Sequence, residues 1–465
     1  MFRIFQHRAA VGSLFGALID GAFGFMAVLL AAHTGQFLPH LQSVAAAGDP
    51  QLVSTAFGFA AVMSLLPSFF GLHRHADLSQ RAALMRLSVA AAMGGVFTHL
   101  AITLGGERLI DPPVLGLASL YLVVGLIILR GLNGLLKQVV GLPRVLIVGT
   151  GEEARSVERD LTMSAKFSCN IVGFYPTTAS APCAVGARKV LNGQQSLAAL
   201  AAEHRVDEII VAVREQRGGV MPMDQLVLCR SRGIRVMDLA GFYEQTKAEV
   251  PIDSLKASWL VYGQGFVQGA WRRGAKRMFD IVTSGMLLVL TSPVLLLTAL
   301  AIKLDSPGPV FYRQERVGMG GRSFWCIKLR SMRTDAEKDG VARWATKNDS
   351  RITRVGAFIR KTRIDELPQL ISVLRGEMSM VGPRPERPSF VEELRQVIPY
   401  YDLRHSIKPG LTGWAQVRYS YGASLEDARR KHQFDLYYVK NNSIWLDIIV
   451  LIETVTVVLF REGAQ

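Results

Sequence analysis

The sequence predicts a chain of three parts: a membrane α-helical bundle, a Rossmann-like α/β domain, and a small α/β-type domain that begins with an apolar helix. Three observations lead to this fold class. Four apolar stretches open the chain, a glycine-rich turn between a strand and a helix follows them, and an uncharged run broken by Ser292 and Pro293 begins the last part. The predicted bounds are 1–135 for the bundle, 143–245 for the α/β domain, 246–270 for a linker and 271–465 for the last domain.

The composition limits the classes of protein that fit. A chain of 465 residues is long enough for two or three domains, and 49% hydrophobic residues is a high fraction for a purely soluble protein. The formal net charge is +15, and residues 270–465 hold 31 Lys and Arg against 20 Asp and Glu. This excess indicates a partner that carries phosphate. The four cysteines have neither zinc-site spacing nor the pattern of a disulfide framework.

The four apolar stretches each approach the ~20 residues that cross a bilayer core. Basic residues precede the first stretch, separate the second from the third, and follow the fourth, whereas the other two loops contain only Arg108. The positive-inside rule therefore predicts that both ends of the bundle face the cytoplasm. Asp20 is the only acidic residue inside a stretch, and we expect it to pair helices rather than to transport a solute. The stretches lie at about 11–32, 52–72, 84–105 and 112–132.

The α/β domain is indicated by a strand that runs into Gly149, Gly151 and Ala154, the spacing of a dinucleotide-binding turn. Three further strand-like runs, CNIVGFY, VDEIIVAV and GIRVMDL, alternate with helical stretches and predict a parallel sheet. Glu152 and Glu153 would repel a pyrophosphate at the start of the helix, and no acid stands where one would bind a ribose. A bound nucleotide and a structural or regulatory module are therefore both open.

Residues 281–302 carry no charge and are long enough to cross a bilayer. Ser292 and Pro293 in the middle predict a bend, because proline removes a helix hydrogen bond and serine can bond to a freed carbonyl. A full crossing would send the basic remainder of the chain to the extracytoplasmic side, against the charge rule. The alternatives are a kinked span and a re-entrant helix over 278–303 that enters and leaves by one face.

The re-entrant arrangement would keep the basic residues at both ends of the apolar run together. Lys276 and Arg277 precede the run and Lys303 follows it. All three would then lie at the level of the lipid phosphates, where cations are favoured.

Two neighbouring carboxylates, Asp365 and Glu366, stand among basic residues in RKTRIDELPQL. One interpretation is that Asp365 caps the helix that the following leucines predict. The other is chemical, because carboxylates near phosphates bind Mg2+ and a carboxylate can act as a nucleophile that forms an acyl phosphate. Adjacent helical residues point about 100 degrees apart, so the pair converges only at a helix start or kink, which Pro368 supplies.

Cations surround this pair in the sequence. Lys328 and Arg330 lie upstream in CIKLRSMRTD, Arg360 precedes Asp365 by five residues, and Arg384 sits between two prolines. We expect the four cations to bind substrate phosphates and to lower the pKa of Asp365. No nucleic-acid partner is predicted, because no binding motif occurs and aromatic residues are not interleaved with the basic ones.

Seven motifs occur in order from residue 272 onward: KRMFD, the Ser292–Pro293 break, DSPGPVFYRQERVG, KLRSM, RIDELPQL, RGEMSMVGPRP and KPGLTGWAQV. Together they resemble the bacterial sugar transferases, which are polyprenyl-phosphate sugar-1-phosphate transferases. The four apolar stretches and the small α/β domain resemble the large form of this family, which includes undecaprenyl-phosphate glucose and galactose phosphotransferases. The resemblance therefore covers the whole architecture.

The resemblance implies transfer of a sugar 1-phosphate from a UDP-sugar to undecaprenyl phosphate, with release of UMP, as the start of exopolysaccharide, capsule or O-antigen synthesis. It implies a covalent phospho-sugar on Asp365 with Glu366 beside it, Mg2+ bound by the pair, and Arg360 and Arg384 on the phosphates. It also implies the re-entrant helix and a catalytic domain on the cytoplasmic face of the bacterial inner membrane. A homodimer is compatible with this architecture, and the identity of the sugar is not predicted.

Two other functions compete with this one. A membrane-anchored NAD-dependent nucleotide-sugar dehydratase can share the first two parts, and Tyr243 and Lys247 match its YxxxK pair, but no second glycine-rich turn precedes them. A non-catalytic scaffold of a glycan assembly complex is the other alternative. The intact carboxylate pair and Arg384 argue against it.

Overall fold

The chain divides into two compact units, Met1–Lys247 and Ala248–Gln465. The bounds predicted for the bundle, the α/β domain and the linker inside these units stay predictions. The computed structural model describes residues 8–35, 50–69, 80–104, 112–140, 142–163, 169–177, 183–213, 221–252, 265–266, 268–334, 336, 349, 351–419, 422 and 424–460.

The first unit begins with four apolar helices: α1 (Arg8–Gly35), α2 (Pro50–Phe69), α3 (Gln80–Leu104) and α4 (Pro112–Val140). They coincide with the predicted apolar stretches, of which residues 70–72 and 105 lie outside the described part. Helix α1 packs against α2 and α4, and α3 packs against the same two helices. The apolar N-terminal helices are therefore confirmed.

Small residues let α1 and α2 approach closely. A Cβ added at Gly21 would lie 3.1 Å from the carbonyl oxygen of Ala60, and one at Gly24 would lie 3.2 Å from Cβ of Met63. Within the described residues, Gly16–Gly35 is long and apolar enough to cross a membrane, and the continuous apolar segments of the other three helices are shorter. These segments are Gln51–Ser64, Leu84–Leu100 and Pro113–Leu129.

The rest of the first unit is a parallel α/β domain. Its strands are β1 (Arg144–Val148), β2 (Asn170–Tyr175), β3 (Glu208–Val211) and β4 (Arg235–Asp238), and its helices are α5 (Glu152–Met163), α6 (Leu197–Glu203), α7 (Met223–Ser231) and α8 (Leu239–Thr246). The strands form one sheet in the order β2-β1-β3-β4, with every pairing parallel. Alternate residues of β1 enter two different buried clusters, so both faces of the sheet are covered. The predicted parallel sheet is confirmed.

The glycine-rich turn after β1 is explained by backbone packing. Gly149 has a φ of +117°, and a Cβ there would lie 2.7 Å from the carbonyl oxygen of Ala212. The carbonyl oxygen of Thr150 accepts a hydrogen bond from the backbone N–H of Ala184 over 2.8 Å. The turn is thus tied to two other parts of the chain.

The pair that matches a dehydratase motif makes structural contacts. Lys247 Nζ lies 2.8 Å from Asp160 Oδ2 and 5.1 Å from the centre of the Tyr243 ring. Tyr243 packs against the buried cluster on one face of the sheet. Both side chains therefore stabilise the end of the α/β domain.

The second unit contains one long helix, two small sheets and several short helices. Ala248, the first residue of this unit, is buried, and its carbonyl oxygen accepts a hydrogen bond from Trp414 Nε1 over 2.8 Å. Strands β5 and β6 form an antiparallel hairpin, and β7 and β8 form a parallel pair. The elements are α9 (Ala270–Asp305), β5 (Phe311–Val317), β6 (Ser323–Leu329), α10 (Arg354–Lys361), α11 (Gln369–Arg375), β7 (Ser379–Val381), α12 (Pro388–Val397), β8 (Gly410–Thr412), α13 (Trp414–Arg418), α14 (Leu425–Asn441) and α15 (Ile444–Phe460).

Both ends of α9 form hydrogen bonds to other elements of the second unit. Near the N-terminal end, Asp280 Oδ1 accepts hydrogen bonds from the hydroxyl of Ser379 and the backbone N–H of Met380, each over 3.1 Å. At the C-terminal end, Asp305 Oδ2 accepts one from the backbone N–H of Val355 over 3.1 Å. The helix is long and apolar enough to cross a membrane, and only 11% of its most apolar window is buried. Its two ends are therefore fixed to the unit while its apolar middle is exposed.

The predicted break lies inside α9, which continues through Pro293. The hydroxyl of Ser292 donates a hydrogen bond to the carbonyl oxygen of Val289 over 2.8 Å. This is the serine back-bond expected beside a proline in an apolar helix.

Two motif glycines allow β7 and β8 to meet at the start of the loop that carries Arg384. The backbone N–H of Gly410 donates to the carbonyl oxygen of Pro383 over 2.9 Å. A Cβ on Gly382 would lie 2.8 Å from the backbone nitrogen of Gly410. The glycines of VGPRP and KPGLTG are therefore required by this close approach.

Candidate active site

The two carboxylates lie on a single 3-10 turn, Ile364–Glu366, between α10 and α11. The turn follows Arg363, whose φ of +59° is uncommon for a residue with a side chain. Within the described residues, neither this turn nor α11 has a side-chain hydrogen bond at its N-terminal cap, and the cap positions are Arg363 and Pro368. The interpretation of Asp365 as a helix cap is therefore wrong.

Glu366 is the carboxylate that two cations hold. Lys328 Nζ and Arg384 Nη2 lie 2.7 and 2.8 Å from the same oxygen, Oε1. Burial alone would raise the pKa of Glu366, but the charges of Arg384 and Lys328 outweigh it and hold the pKa well below its ordinary value. Glu366 is therefore ionised and neutralised by direct contacts.

Asp365 is buried, with 8% of its surface exposed, and its Oδ1 has no hydrogen-bond partner among the described residues. Burial, and then the charge of Glu366, raise the pKa of Asp365 to about 6. The charges of Lys328 and Arg360 do lower this pKa, as expected, but the desolvation of the carboxylate and the charge of Glu366 outweigh them, so the net shift is upward. A weakly solvated carboxylate with an unbonded oxygen is the better placed of the two to act as a nucleophile.

Two arginines in the segment before the pair act on Asp365 through their charges. Burial and Glu366 raise the pKa of Asp365, and the charges of Lys328, Arg360 and Arg363 oppose them. Arg360 lies in the last turn of α10, and the structure brings it near Asp365. Arg363 was not among the predicted site residues, and its only signal in the sequence is its place in the basic segment before the pair.

The structure does not bring Arg330 together with the other predicted phosphate ligands. Its buried guanidinium donates to the carbonyl oxygens of Ile302 and Ser306, over 3.3 and 2.7 Å, and to that of Pro307. Strand β6 ends at Leu329, so the alternation that would place residues 328 and 330 on one face does not extend to Arg330. Arg330 instead holds the C-terminal end of α9.

Lys276 and Arg277 also form bonds inside the second unit. Lys276 Nζ lies 3.2 Å from Asp280 Oδ1 and 2.8 Å from Asp447 Oδ2. Arg277 donates to two carbonyl oxygens in the last turn of α11, each over 2.6 Å, where a cation is favoured. These contacts tie α9 to the segment that follows the carboxylates, and a place at the lipid phosphates stays a prediction.

The carboxylate pair fits Mg2+ that shares its coordination with a substrate. No group of three His, Cys, Asp or Glu side chains comes together in the described parts of the chain. Mg2+ commonly binds one or two carboxylates and completes its octahedron with water and substrate phosphates. The unbonded Oδ1 of Asp365 is a donor of that kind, and Glu366 lies beside it.

Comparison with known proteins gives one matching family, described as bacterial sugar transferase, over residues 271–461. A protein of Xanthomonas campestris pv. campestris, named UDP-glucose:undecaprenyl-phosphate glucose-1-phosphate transferase, is 32% identical over 394 residues, which are 81% of this chain and 80% of that protein. A protein of the same name from Escherichia coli (strain K12) is 50% identical over 182 residues, or 39% of each chain.

A relative from Aeromonas hydrophila differs in the sugar that its name specifies. It is named UDP-N-acetylgalactosamine-undecaprenyl-phosphate N-acetylgalactosaminephosphotransferase and is 48% identical over 190 residues. The match covers 41% of this chain and 45% of that protein. This chain thus spans less than half of the Aeromonas and Escherichia relatives and most of the Xanthomonas one.

Proposed function

Because this chain belongs to the bacterial sugar transferase family, we propose that it transfers a sugar 1-phosphate from a UDP-sugar to undecaprenyl phosphate and releases UMP. The reaction is the initiating step of exopolysaccharide, capsule or O-antigen synthesis. One observation carries the proposal: Asp365 is a buried carboxylate with one oxygen that has no hydrogen-bond partner in the described part of the chain, and it lies beside a second carboxylate that Lys328 and Arg384 neutralise.

In the first step, a carboxylate oxygen of Asp365 attacks the phosphorus that carries the sugar. The new bond joins that oxygen to phosphorus, and the bond from this phosphorus to the bridging oxygen of the diphosphate breaks. UMP leaves with the electron pair. The raised pKa of Asp365 supports this role, because the carboxylate is the more basic of the two and still ionises near neutral pH.

In the second step, a phosphate oxygen of undecaprenyl phosphate attacks the same phosphorus. The bond from phosphorus to Asp365 breaks, the carboxylate is restored, and the product is a lipid diphosphate sugar. Two displacements at the same phosphorus thus replace one direct attack of the lipid phosphate on the UDP-sugar.

The cations around the pair compensate the charge of these phosphates. Arg384 and Lys328 contact Glu366, the neighbour of Asp365, and 30% and 17% of their side chains are exposed. Arg360 and Arg363 add further positive charge that acts on Asp365. Fixed cations at the developing charge stabilise a transition state more than water does.

We propose that Asp365 and Glu366 hold Mg2+ together with the phosphates of the UDP-sugar. The ion would supply charge neutralisation at the transferred phosphoryl group and at the leaving UMP. The unbonded oxygen of Asp365 supports this assignment. Titration of the purified protein with EDTA and back-titration with Mg2+, following UMP release, tests it.

We further propose that α9 is re-entrant and holds the second unit on the cytoplasmic face of the bacterial inner membrane. The bonds from Asp280 and Asp305 at its two ends to the same unit support this arrangement. A straight helix that crosses the ~30 Å hydrocarbon core would put those ends on opposite surfaces.

The test of the function is an assay of the full chain in detergent or nanodiscs with undecaprenyl phosphate, Mg2+ and a panel of UDP-sugars. UDP-glucose is the first donor to test, because the relative aligned over 80% of its own length is named for glucose 1-phosphate. UDP-N-acetylgalactosamine and UDP-galactose follow. We expect UMP release with one donor, and no release with any of them would overturn the proposal.

A further inference from the structure

The loop that carries Arg384 is held through its backbone by two arginines, of which Arg404 is buried and Arg316 is partly buried. Arg404 Nη2 donates to the carbonyl oxygen of Arg384 over 2.8 Å. Arg316 Nη1 donates to the carbonyl oxygen of Pro385 over 2.9 Å. The two arginines come from different elements, Arg404 from the 3-10 helix Tyr401–Ser406 and Arg316 from β5. Two consecutive carbonyl groups of the loop thus each accept a hydrogen bond from a different arginine.

Arg404 is itself rigidly held. Its side chain is 6% exposed, and Nη2 lies 2.9 Å from Asp435 Oδ2 in α14. Nη1 donates to the hydroxyl of Tyr401 over 2.6 Å. A buried guanidinium is costly to desolvate unless such partners compensate it, and Asp435 and Tyr401 supply that compensation here.

Arg316 is fixed in a comparable way. Arg316 Nη1 lies 3.5 Å from Glu386 Oε2. The backbone N–H of the next residue, Val317, donates a hydrogen bond to the carbonyl oxygen of Glu386 over 2.9 Å. Its guanidinium also contacts the side-chain oxygen of Gln314. The segment from Arg384 to Glu386 is therefore bonded at three successive carbonyl groups.

The side chain of Arg384, in contrast to its backbone, contacts the carboxylate pair directly. Arg384 Nη2 lies 2.8 Å from Glu366 Oε1, which also accepts from Lys328. The position of a long side chain is set by its backbone, and sites of this kind are sensitive to displacements of about half an ångström. A shift of the loop would therefore move the guanidinium of Arg384 relative to the carboxylate pair.

We infer that Arg316 and Arg404 are positioning residues, which hold the backbone of the PRPE segment so that the guanidinium of Arg384 meets the phosphates of the UDP-sugar. Among the described contacts of Asp365 and Glu366 neither arginine occurs, so each acts through the backbone of the segment that carries Arg384. This inference rests on the proposed transferase function.

The test is a double-mutant cycle in the full-length protein. Arg404→Lys and Arg316→Lys keep the positive charge but lose the forked geometry that bonds a carbonyl and its supporting partners together. Each is combined with Arg384→Lys, and kcat and KM for the UDP-sugar are measured by UMP release. Arg384→Lys alone is expected to raise KM about 10-fold or more.

We expect Arg404→Lys and Arg316→Lys each to raise KM for the UDP-sugar by ~3- to 10-fold, and to add less than about 2-fold in the Arg384→Lys background. A merely structural role would lower the active fraction, and hence kcat, with KM unchanged. Additive effects in the double mutants, or an unchanged KM in both single mutants, would overturn the inference.

Two further variants keep the result interpretable. Tyr401→Phe replaces Arg404→Lys in the test should Arg404→Lys not fold. It removes one hydrogen bond to Arg404 and keeps the aromatic ring, so it is expected to raise KM for the UDP-sugar about 2-fold. Arg395→Lys is the matched control, because Arg395 is an exposed arginine that pairs with Asp402 of the same 3-10 helix. Absence of UMP release from the wild-type protein would contradict the transferase function. An active wild type with additive effects on KM in the double mutants would contradict only the positioning role.

Discussion

Arg384 donates a hydrogen bond from Nη2 to Oε1 of Glu366 over 2.8 Å, although 18 residues separate them in the chain. The contact neutralises one carboxylate of the pair, whereas the other, Asp365, is buried and has one oxygen without a hydrogen-bond partner among the residues that the structure describes. The two neighbouring acids therefore have different electrostatic environments. One is suited to hold cations and the other to attack phosphorus.

Replacement of the nucleophile removes the covalent step. Asp365→Asn keeps the size of the side chain but leaves an amide that cannot form the acyl phosphate, so we expect the rate of UMP release to fall by at least ~10³-fold. Mass spectrometry of the intact protein incubated with the UDP-sugar alone should show a phospho-sugar adduct in the wild type and none in the variant. Glu392→Gln, at an exposed acid of α12, is the control. A variant with the full rate would contradict the assignment.

The rate of UMP release should depend on the ionisation of Asp365. Its pKa is raised to about 6, above the ordinary value, so the reactive carboxylate predominates above that pH and its protonated form predominates below it. We expect kcat/KM to be nearly constant from pH 7 to 8 and to fall about tenfold per pH unit below about 6. A profile that stays flat down to pH 4.5, in a protein that remains folded, would show that this group is not the one that titrates.

Glu366 should be needed both for Mg2+ and for the stability of the site. Glu366→Gln removes the charge that Lys328 and Arg384 share, so we expect the Mg2+ concentration for half-maximal activity to rise about 10-fold. The free energy of unfolding should fall by about 1–3 kcal/mol, because two partly buried cations lose their counter-charge. Mg2+ titration and chemical denaturation measure the two effects. An unchanged Mg2+ requirement would remove Glu366 from the metal site.

Arg330 and Lys328 should give opposite results, although they lie two residues apart. Arg330→Ala removes the arginine donor from the carbonyl oxygens of Ser306 and Pro307, and one of two donors from that of Ile302, which keeps the backbone N–H of Ser306. We therefore expect a loss of about 2–4 kcal/mol in the free energy of unfolding and an unchanged KM for the UDP-sugar. Lys328→Ala should instead raise that KM, since Lys328 contacts Glu366. A raised KM in folded Arg330→Ala would place this arginine on the substrate after all.

The re-entrant helix can be tested from its two ends. Trp271 and Leu304, at opposite ends of α9, are 87% and 80% exposed. Single cysteines at these positions, in a chain whose four native cysteines are replaced, should both react with a membrane-impermeant maleimide in inverted vesicles and neither in intact spheroplasts. A helix that crosses the bilayer would protect one of the two positions in each preparation.

Local sequence patterns were sufficient for the elements of the fold. The apolar stretches predicted the four N-terminal helices, and the β-branched runs after Leu142 predicted the four strands of the parallel sheet. Both signals depend on the length and spacing of apolar residues and on side-chain chemistry within about 20 residues. The glycines of VGPRP and KPGLTG were visible as motifs, but their reason, the contact of β7 with β8, was not.

The sequence by itself determined the family motifs, the apolar character of α9 and the identity of the carboxylate pair. Only the tertiary structure decided that Asp365 caps no helix, that burial raises its pKa, and that Arg330 supports α9 rather than the carboxylates. It also decided the contact of Arg404 with the backbone of Arg384. The physical reason is that desolvation and the direction of a long side chain depend on what the rest of the chain places around it, which no local pattern contains.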